Sequence, residues 1–331
     1  MAIRIEITQN NGRLDRFLTQ LCPEIPRSRW EFWIKLGRVL VNGATATKNG
    51  QALKAGDLLE TELPDLPPPA AHLTAEQIGL PTLYEDEFLW IINKPAGLVV
   101  HPGPGHPSGT VLNALLSKIG TSPQKACGEM EDNEEEPKGW PGLVHRLDRF
   151  TSGCLAMAKD EETKSYLQAQ FKARTVEKTY IAIARQCRRL PELGSLMVDA
   201  PLARHRSDRT KMVINSKGKE AKTRVRVLAR ASGLALVSCD ILTGRTHQIR
   251  VHLANLGAPL LGDPLYGGAT AWKGSDGRML ECPHPALHSW KLALNHPNGE
   301  RIKVTAEVPE AFGCLLTALG LEAEEILGGA T

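Results

Sequence analysis

Apolar residues recur at helical spacing through Leu14, Phe17, Leu18 and Leu21, and Pro23 and Pro26 are placed to end the helix they predict. Ser28 offers an N-cap for a second helix over Arg29 to Leu36, with Trp30, Trp33 and Ile34 as its apolar stripe and Gly37 as its stop. Val39 to Val41 reads as a short strand, and Asn42-Gly43 as a hairpin turn. Further on, Phe88 to Ile92 predicts a buried strand, and Val111 to Ile119 a helix. Asp160 suits the N-cap of a helix reaching Ala173, with Leu167 and Phe171 on its core side. Glu177 to Ala184 alternates as a strand, Ile181 and Ile183 on one face and Lys178, Tyr180 and Ala182 on the other. Leu234 to Leu242 predicts another strand, then a helix with Ile249, Leu253 and Leu256 on one face and Gly257 at its end. Strands over His288 to Leu294 and Arg301 to Val304 and a helix over Pro309 to Leu319 complete the pattern.

Between the first elements and the rest lies Asp65-Leu66-Pro67-Pro68-Pro69-Ala70-Ala71, a stiff stretch that disfavours helix and cannot pair fully as a strand. It predicts a small α+β module at residues 11–64, a linker at 65–72 and a larger domain at 73–320. Hydrophobic content of 42% and charged content of 23% suit an ordinary globular protein, and a net charge of +3 leaves any anion-binding surface to local clusters. No apolar run reaches the roughly 20 residues of a membrane helix, and no secretory leader is visible at the start. Seven scattered cysteines suggest no disulfide framework and fit a reducing, cytoplasmic compartment. Cys282, His284 and His288 come nearest to a metal-ligand cluster, but Pro283 and Pro285 keep the histidines off one helical face, so no metal is expected. No Gly-rich phosphate loop seats a nucleotide cofactor.

Candidate chemistry centres on GLVHRLDRFTSG, Gly142 to Gly153, where Asp148 stands between Arg146 and Arg149 in a charged loop flanked by strand-like apolar runs. By itself it reads equally as an ion pair in a surface turn. Tyr180 reads as a packed core tyrosine or as a platform for stacking a base. Arg185 to Arg230 is rich in cations with few acids between them, which favours a hairpin or long loop that tracks phosphates. The turn carrying Arg245, Thr246, His247 and Arg250 can aim cations at an anion, or can be a solvated helix face. The first module has its own basic side (Arg13, Arg16, Arg27, Arg29, Lys35 and Arg38), and the Pro- and Gly-rich loop after Ile92 has a fixed shape or merely connects. The acidic run Cys127 to Lys138 would repel phosphate and is given no function.

These motifs resemble, in order, those of the RluA family of RNA pseudouridine synthases: INKPAGLVVHPG at Ile92, GLVHRLDRFTSG at Gly142, EKTYIA at Glu177, TGRTHQIRVHL at Thr243 and GDPLYG at Gly262. The first module is similar to the alpha-L RNA-binding domain, through RLDRFLTQL, PRSRWEFWIKLGRVLVNG and KAGDLLE. The resemblance implies an α+β fold: a pseudouridine synthase catalytic domain with a largely antiparallel mixed sheet flanked by helices, preceded by a small α+β RNA-binding domain. It implies a reaction in which the glycosidic bond of uridine breaks, the uracil turns, and C5 rejoins the sugar, with no cofactor. It assigns Asp148 as catalytic aspartate, whether by attack on the ribose or by another route, Arg250 as its partner, and Tyr180 as the residue that stacks on the flipped base. Arg146 would fill the gap left in the RNA, and Arg27, Ser28, Arg29 and Lys35 would contact RNA from the first module. The implied partner is structured RNA, with large-subunit ribosomal RNA favoured and transfer RNA the alternative; no membrane partner is implied, and a monomer is the default.

Two rival functions remain to be weighed. A retaining glycosidase also sets a carboxylate against an anomeric carbon, but it needs a second carboxyl group, and Asp240 and Asp263 show no convincing partnership along the chain. A non-catalytic RNA-binding or ribosome-assembly factor would need the basic surfaces alone, and leaves the set Asp148, Tyr180 and Arg250 unexplained.

Overall fold

The computed structural model describes residues 2–9, 12–22, 25, 27–62, 74–103, 106–120, 142–192, 194–274 and 277–321. It divides into two compact units, Met1–His72 and Leu73–Thr331. The expected linker at 65–72, the helix-ending Pro23 and Pro26, and the acidic run at 127–138 lie outside the described residues.

The first unit contains β1 (Ala2–Glu6), β2 (Gly12–Arg13), α1 (Leu14–Leu21), α2 (Arg27–Lys35), β3 (Val39–Val41), β4 (Ala44–Thr45), β5 (Ala52–Leu53) and β6 (Leu58–Glu62). Its sheet runs β1-β6-β3-β4 and so begins before Asn11, because Ile3, Ile5 and Ile7 alternate with exposed Arg4 and Glu6 and pair along β6. The β3–β4 turn is the Asn42-Gly43 pair, both residues at positive φ (56° and 74°), as a tight hairpin demands. Trp30 and Ile34 of α2 pack on Leu14 and Leu18 of α1 over Val39, Val41 and Leu59. Helix α2 starts at Arg27, which puts Ser28 inside the helix rather than at its cap. The reason lies in α1: the buried Asp15 carboxylate accepts from Arg13 at 2.8 Å and from Arg27 at 2.7 Å, drawing the start of α2 toward it. Burial pushes the Asp15 carboxyl up, yet the two arginines prevail and hold it at about 2.

The second unit continues with β7 (Thr82–Glu85), β8 (Leu89–Lys94), α3 (Val111–Ile119), β9 (Ser152–Ala158), α4 (Glu161–Ala173), β10 (Glu177–Arg185), β11 (Gly194–Asp199), β12 (Leu202–Arg204), β13 (Met212–Ile214), β14 (Lys222–Ala231) and β15 (Leu234–Ile241). It ends with α5 (Gln248–Asn255), β16 (Ala271–Lys273), β17 (Met279–Glu281), β18 (Leu287–Asn295), β19 (Arg301–Thr305) and α6 (Glu310–Ala318). Nine of these strands form one sheet in the order β11-β14-β15-β10-β18-β9-β8-β7, with β19 added beside β18. Strands β9 and β18 meet in parallel at Ser152–His288 and Gly153–Ser289, while the other neighbours run antiparallel. The sheet is mixed and largely antiparallel, as the resemblance implies.

Alternation along each strand supplies two apolar faces. Tyr180, Ala182, Leu155, Met157, Val225 and Val237 face α3 and α5, whose Leu112, Leu115, Ile249 and Leu253 cover them. On the other face, Ile181 and Ile183 pack against Phe312 and Leu316 of α6, and Ile91 and Ala156 against Leu167 and Phe171 of α4. Each of those large side chains contributes at most about 1.5–3 kcal/mol by burial. Asp160 caps α4, its carboxylate accepting from Thr163 N at 2.8 Å. The expected apolar run before Asp148 is not a strand: Leu143 makes a single bridge to Met157, because Gly142 turns at φ 67° directly against the Ala158 carbonyl. The basic stretch from Arg185 to Arg230 folds into β11, the β12–β13 hairpin and β14, where Arg224 and Arg226 point out and Val225 and Val227 point in.

Candidate active site

Asp148 sits in the loop that leads into β9, and its carbonyl accepts from Thr151 N at 3.1 Å to close a turn. The loop after β8 braces that turn. Lys94 Nζ and Gly97 N both donate to the Arg149 carbonyl, at 3.0 and 2.9 Å. Lys94 is fully buried and gives its remaining protons to the carbonyls of Pro95 and Leu98, each at 2.9 Å. Burial pushes this ammonium down to about 7 while Asp148 pulls it the other way. Three carbonyl acceptors match the three protons that only the charged amine carries. Lys94 at the end of β8 and Gly97 just after it thus anchor the backbone next to Asp148.

The flanking residues of the motif are structural. His145 is buried, stacks on Phe171 at 4.7 Å, and accepts from Ala156 N through Nε2 at 2.9 Å; burial pushes it down to about 3, so it is neutral. Arg149 donates to the Gly97 carbonyl at 3.1 Å and lies over Phe150. Ser152 bonds His288 Nδ1 at 2.8 Å, tying the end of the loop to β18.

The second half of the site comes from the turn between β15 and α5. Gln248 organises it from inside: its Oε1 accepts from Thr243 Oγ1 at 2.7 Å and Arg245 N at 3.0 Å, while its Nε2 donates to the Lys222 carbonyl and Thr223. His247 takes a left-handed backbone (φ 55°) to enter α5, which turns its ring toward Asp148. One turn of helix places Arg250 beside it. Arg250 Nη1 lies 3.4 Å and His247 Nε2 3.8 Å from the same oxygen, Asp148 Oδ2.

Arg250 has a second and closer partner. Asp263, fully buried, accepts from Arg250 Nε at 2.7 Å and from Nη2 at 2.9 Å. This corrects the expectation that Asp263 has no partnership: the side chains meet across 13 residues of chain, at the turn that follows α5. Both Asp263 oxygens accept from the guanidinium and the side chain is buried away from the cleft over Asp148, so it does not stand where a glycosidase needs its second carboxyl group. Asp240, the other acid considered, accepts from Thr179 Oγ1 at 2.7 Å.

A cleft of about 430 Å³ opens over Asp148, lined by Arg146, Tyr180, Arg245, His247, Arg250 and neighbouring apolar side chains. Burial alone would raise the Asp148 carboxyl, but His247, Arg250 and Arg146 outweigh it and hold the group below the usual carboxylate range. His247 is itself pushed down by burial, Asp148 opposing, so near neutral pH it is uncharged and the two arginines carry the effect. Tyr180 is almost fully buried; burial raises its phenol, the Ser289 hydroxyl tempering the shift and Asp148 adding to it. It is a neutral phenol on the floor of the cleft. Arg245 donates to the Glu220 carbonyl at 3.0 Å and also lines a second basic groove with Arg204, Lys217 and Lys219. Asp148, Tyr180, Arg250, Arg146 and Arg245 thus come together. Arg27, Arg29 and Lys35 lie on α2 of the first unit, Arg27 committed to Asp15; the Ser28 side chain lies outside the described residues.

Sequence reasoning missed Lys94, Asp263, Tyr266 and the orientation of His247. For Asp263, Tyr266 and His247 the signal was the sequence order itself, since GDPLYG closely follows TGRTHQIR. The cluster considered for metal binding is dispersed: Cys282 donates to the His284 carbonyl, His284 stacks on Phe150, and His288 bonds Ser152 and the Ala306 carbonyl.

Residues 88–255 match the RNA pseudouridylate synthase family, and residues 12–59 match the S4 domain. The chain is 40% identical over 312 residues to the ribosomal large subunit pseudouridine synthase D of Nitrosomonas europaea, covering 93% of this chain and 84% of that protein. It is 38% identical to the protein of the same name from Pseudomonas aeruginosa, covering 99% and 98%. Among solved structures, human RNA pseudouridylate synthase domain containing 4 shares 28% identity with a TM-score of 0.53, over 73% of this chain and 94% of that one.

Proposed function

The chain belongs to the RNA pseudouridylate synthase family, and from that premise and its site we propose that Asp148 opens the glycosidic bond of a flipped uridine in large-subunit ribosomal RNA. As a member it is an isomerase acting on RNA, and the reaction balances without a second substrate: C1′–N1 breaks, C1′–C5 forms, C5 loses a proton and N1 gains one. The observation that carries the reading is the ionised Asp148 at the mouth of a basic cleft with Tyr180 beneath it.

In this reading the base stacks on the Tyr180 ring, Arg146 fills the gap left in the RNA, and Arg245 meets the phosphates around the extruded nucleotide. Asp148 acts as nucleophile or base at the ribose. Arg250 and Arg146 keep it ionised, and because Arg250 and His247 both meet Oδ2 the second oxygen stays available to the sugar. The ring of Tyr180 keeps the freed uracil parallel to its original plane while it turns. Its neutral phenol is an oxygen acceptor and donor close to where the C5 proton leaves. The S4 domain supplies an RNA-binding surface, to which Arg29 and Lys35 of α2 contribute.

The choice of ribosomal RNA follows the names of the relatives of similar length. It is tested by incubating the purified protein with ribosomal and transfer RNA from cells lacking the gene and mapping pseudouridine in each. Restoration of specific uridines in large-subunit RNA supports the proposal. Restoration confined to transfer RNA contradicts it.

A further inference from the structure

Two residues of the Gly262–Gly267 turn stand behind the groups that touch Asp148. Asp263 grips Arg250 along its Nε and Nη2 edge, so that only Nη1 is directed to Asp148. Tyr266 meets His247: the phenol oxygen lies 2.8 Å from Nδ1, and the rings pack edge to face at 5.6 Å. That same oxygen accepts from Met212 N at 2.9 Å. Its own proton can then go to His247 Nδ1, the arrangement that puts the imidazole proton on Nε2, the nitrogen facing Asp148 Oδ2 at 3.8 Å. Tyr266 also lies under the Arg250 guanidinium at 5.1 Å, so one side chain touches both donors.

We propose that Asp263 and Tyr266 are positioning residues for the reaction: Asp263 fixes the guanidinium of Arg250, and Tyr266 fixes His247 as its Nε2–H tautomer, so that Asp148 meets two aligned donors on one oxygen. The proposal rests on the reading of Asp148 as the reacting carboxylate. The charged and titratable groups that face Asp148 are Arg146 from its own loop, His247 and Arg250 from α5, Lys94 from β8 and Tyr180 from β10. With Asp263 closing the network, Arg250 serves two carboxylates and is not drawn wholly onto Asp148. That explains why the contact to Asp148 is 3.4 Å while those to Asp263 are shorter. Because Met212 opens β13, the docking of the basic β12–β13 hairpin is part of the same chain of bonds.

The test uses Tyr266→Phe, Asp263→Asn and Asp263→Glu in the full chain. The first readout needs no substrate: ¹⁵N resonances of the histidine ring, with His247 assigned by its loss in His247→Asn. Wild type should show Nδ1 unprotonated, and Tyr266→Phe a mixture of tautomers. A protonated Nδ1 in the wild type, or an unchanged pattern in Tyr266→Phe, overturns the tautomer claim. The second readout is release of tritium from C5 of uridines in RNA taken from cells lacking the gene. Tyr266→Phe should lose about tenfold in kcat with KM changed less than about twofold, and Asp263→Asn about a hundredfold, partly recovered in Asp263→Glu. A rise in KM at unchanged kcat, or wild-type kcat in Tyr266→Phe, overturns the positioning role. Asp263→Asn takes the closer carboxylate from the buried Arg250 and can fail to fold, in which case Tyr266→Phe, which keeps ring and packing, decides. Asp148→Asn runs alongside: full turnover there refutes the reading of Asp148 and with it the positioning role, while the nitrogen resonances still judge the tautomer.

Discussion

Replacing Gly153 by alanine tests whether the loop and the sheet are built around one close backbone approach. Gly153 has φ +107°, and a Cβ there would lie 2.1 Å from the Ser289 carbonyl oxygen and 2.7 Å from the Ser289 carbonyl carbon and nitrogen. Both residues belong to the only described parallel contact of the large sheet, where β9 meets β18. Relief requires the strands to part by more than an ångström, since ordinary contact begins near 3.4 Å. The backbone strain of an L residue in this region costs about 1–2 kcal/mol, and overpacking against main chain about 1–3 kcal/mol. Their sum, about 2–5 kcal/mol, should appear as a lower urea midpoint followed by tryptophan fluorescence. Asp148 is five residues upstream, so a displaced β9 should also lower kcat on the order of a hundredfold. Gly299→Ala is the control: its φ is +92° but nothing lies within 4 Å, so only the strain remains. If Gly153→Ala unfolds no more readily than Gly299→Ala, the contact is not what fixes the loop.

Three further outcomes are expected. Lys94→Met removes the donor shared by three carbonyls and should destabilise the protein by about 2–4 kcal/mol, with kcat falling as the Asp148 turn loosens; a wild-type midpoint would show that the brace is dispensable. Folding stability should rise with pH between about 4 and 6.5, because His145 and His288 are held down to about 3 and about 4 and stay neutral while the unfolded chain binds protons. Urea midpoints measured across that range check the sign, and a flat profile would contradict it. Removing residues 1–64 should weaken RNA binding and flatten its dependence on salt, as read by filter binding at several salt concentrations; an unchanged slope would mean that the first unit makes no phosphate contacts.

Much of this architecture was legible from local pattern. Val111–Ile119, the cap at Asp160 and the two faces of β10 were read from spacing alone, since each is set by neighbours three, four or two residues away. Strand order was not legible, because the parallel meeting of β9 with β18 joins segments 136 residues apart. The start of α2 was misplaced by two residues because a buried acid twelve residues earlier, Asp15, draws Arg27 in. The site followed the same rule. Asp148, Tyr180 and Arg250 came from motifs, whereas Asp263 was passed over because its partner is visible only once α5 folds back. Buried Lys94 was hidden by its type, since lysine is ordinarily a surface residue.

The central claim is that Asp148 carries the chemistry. Purified Asp148→Ala should therefore bind RNA from cells lacking the gene about as tightly as the unaltered protein, yet release no tritium from C5 of its uridines. A substantial rate of tritium release by that variant would contradict the account.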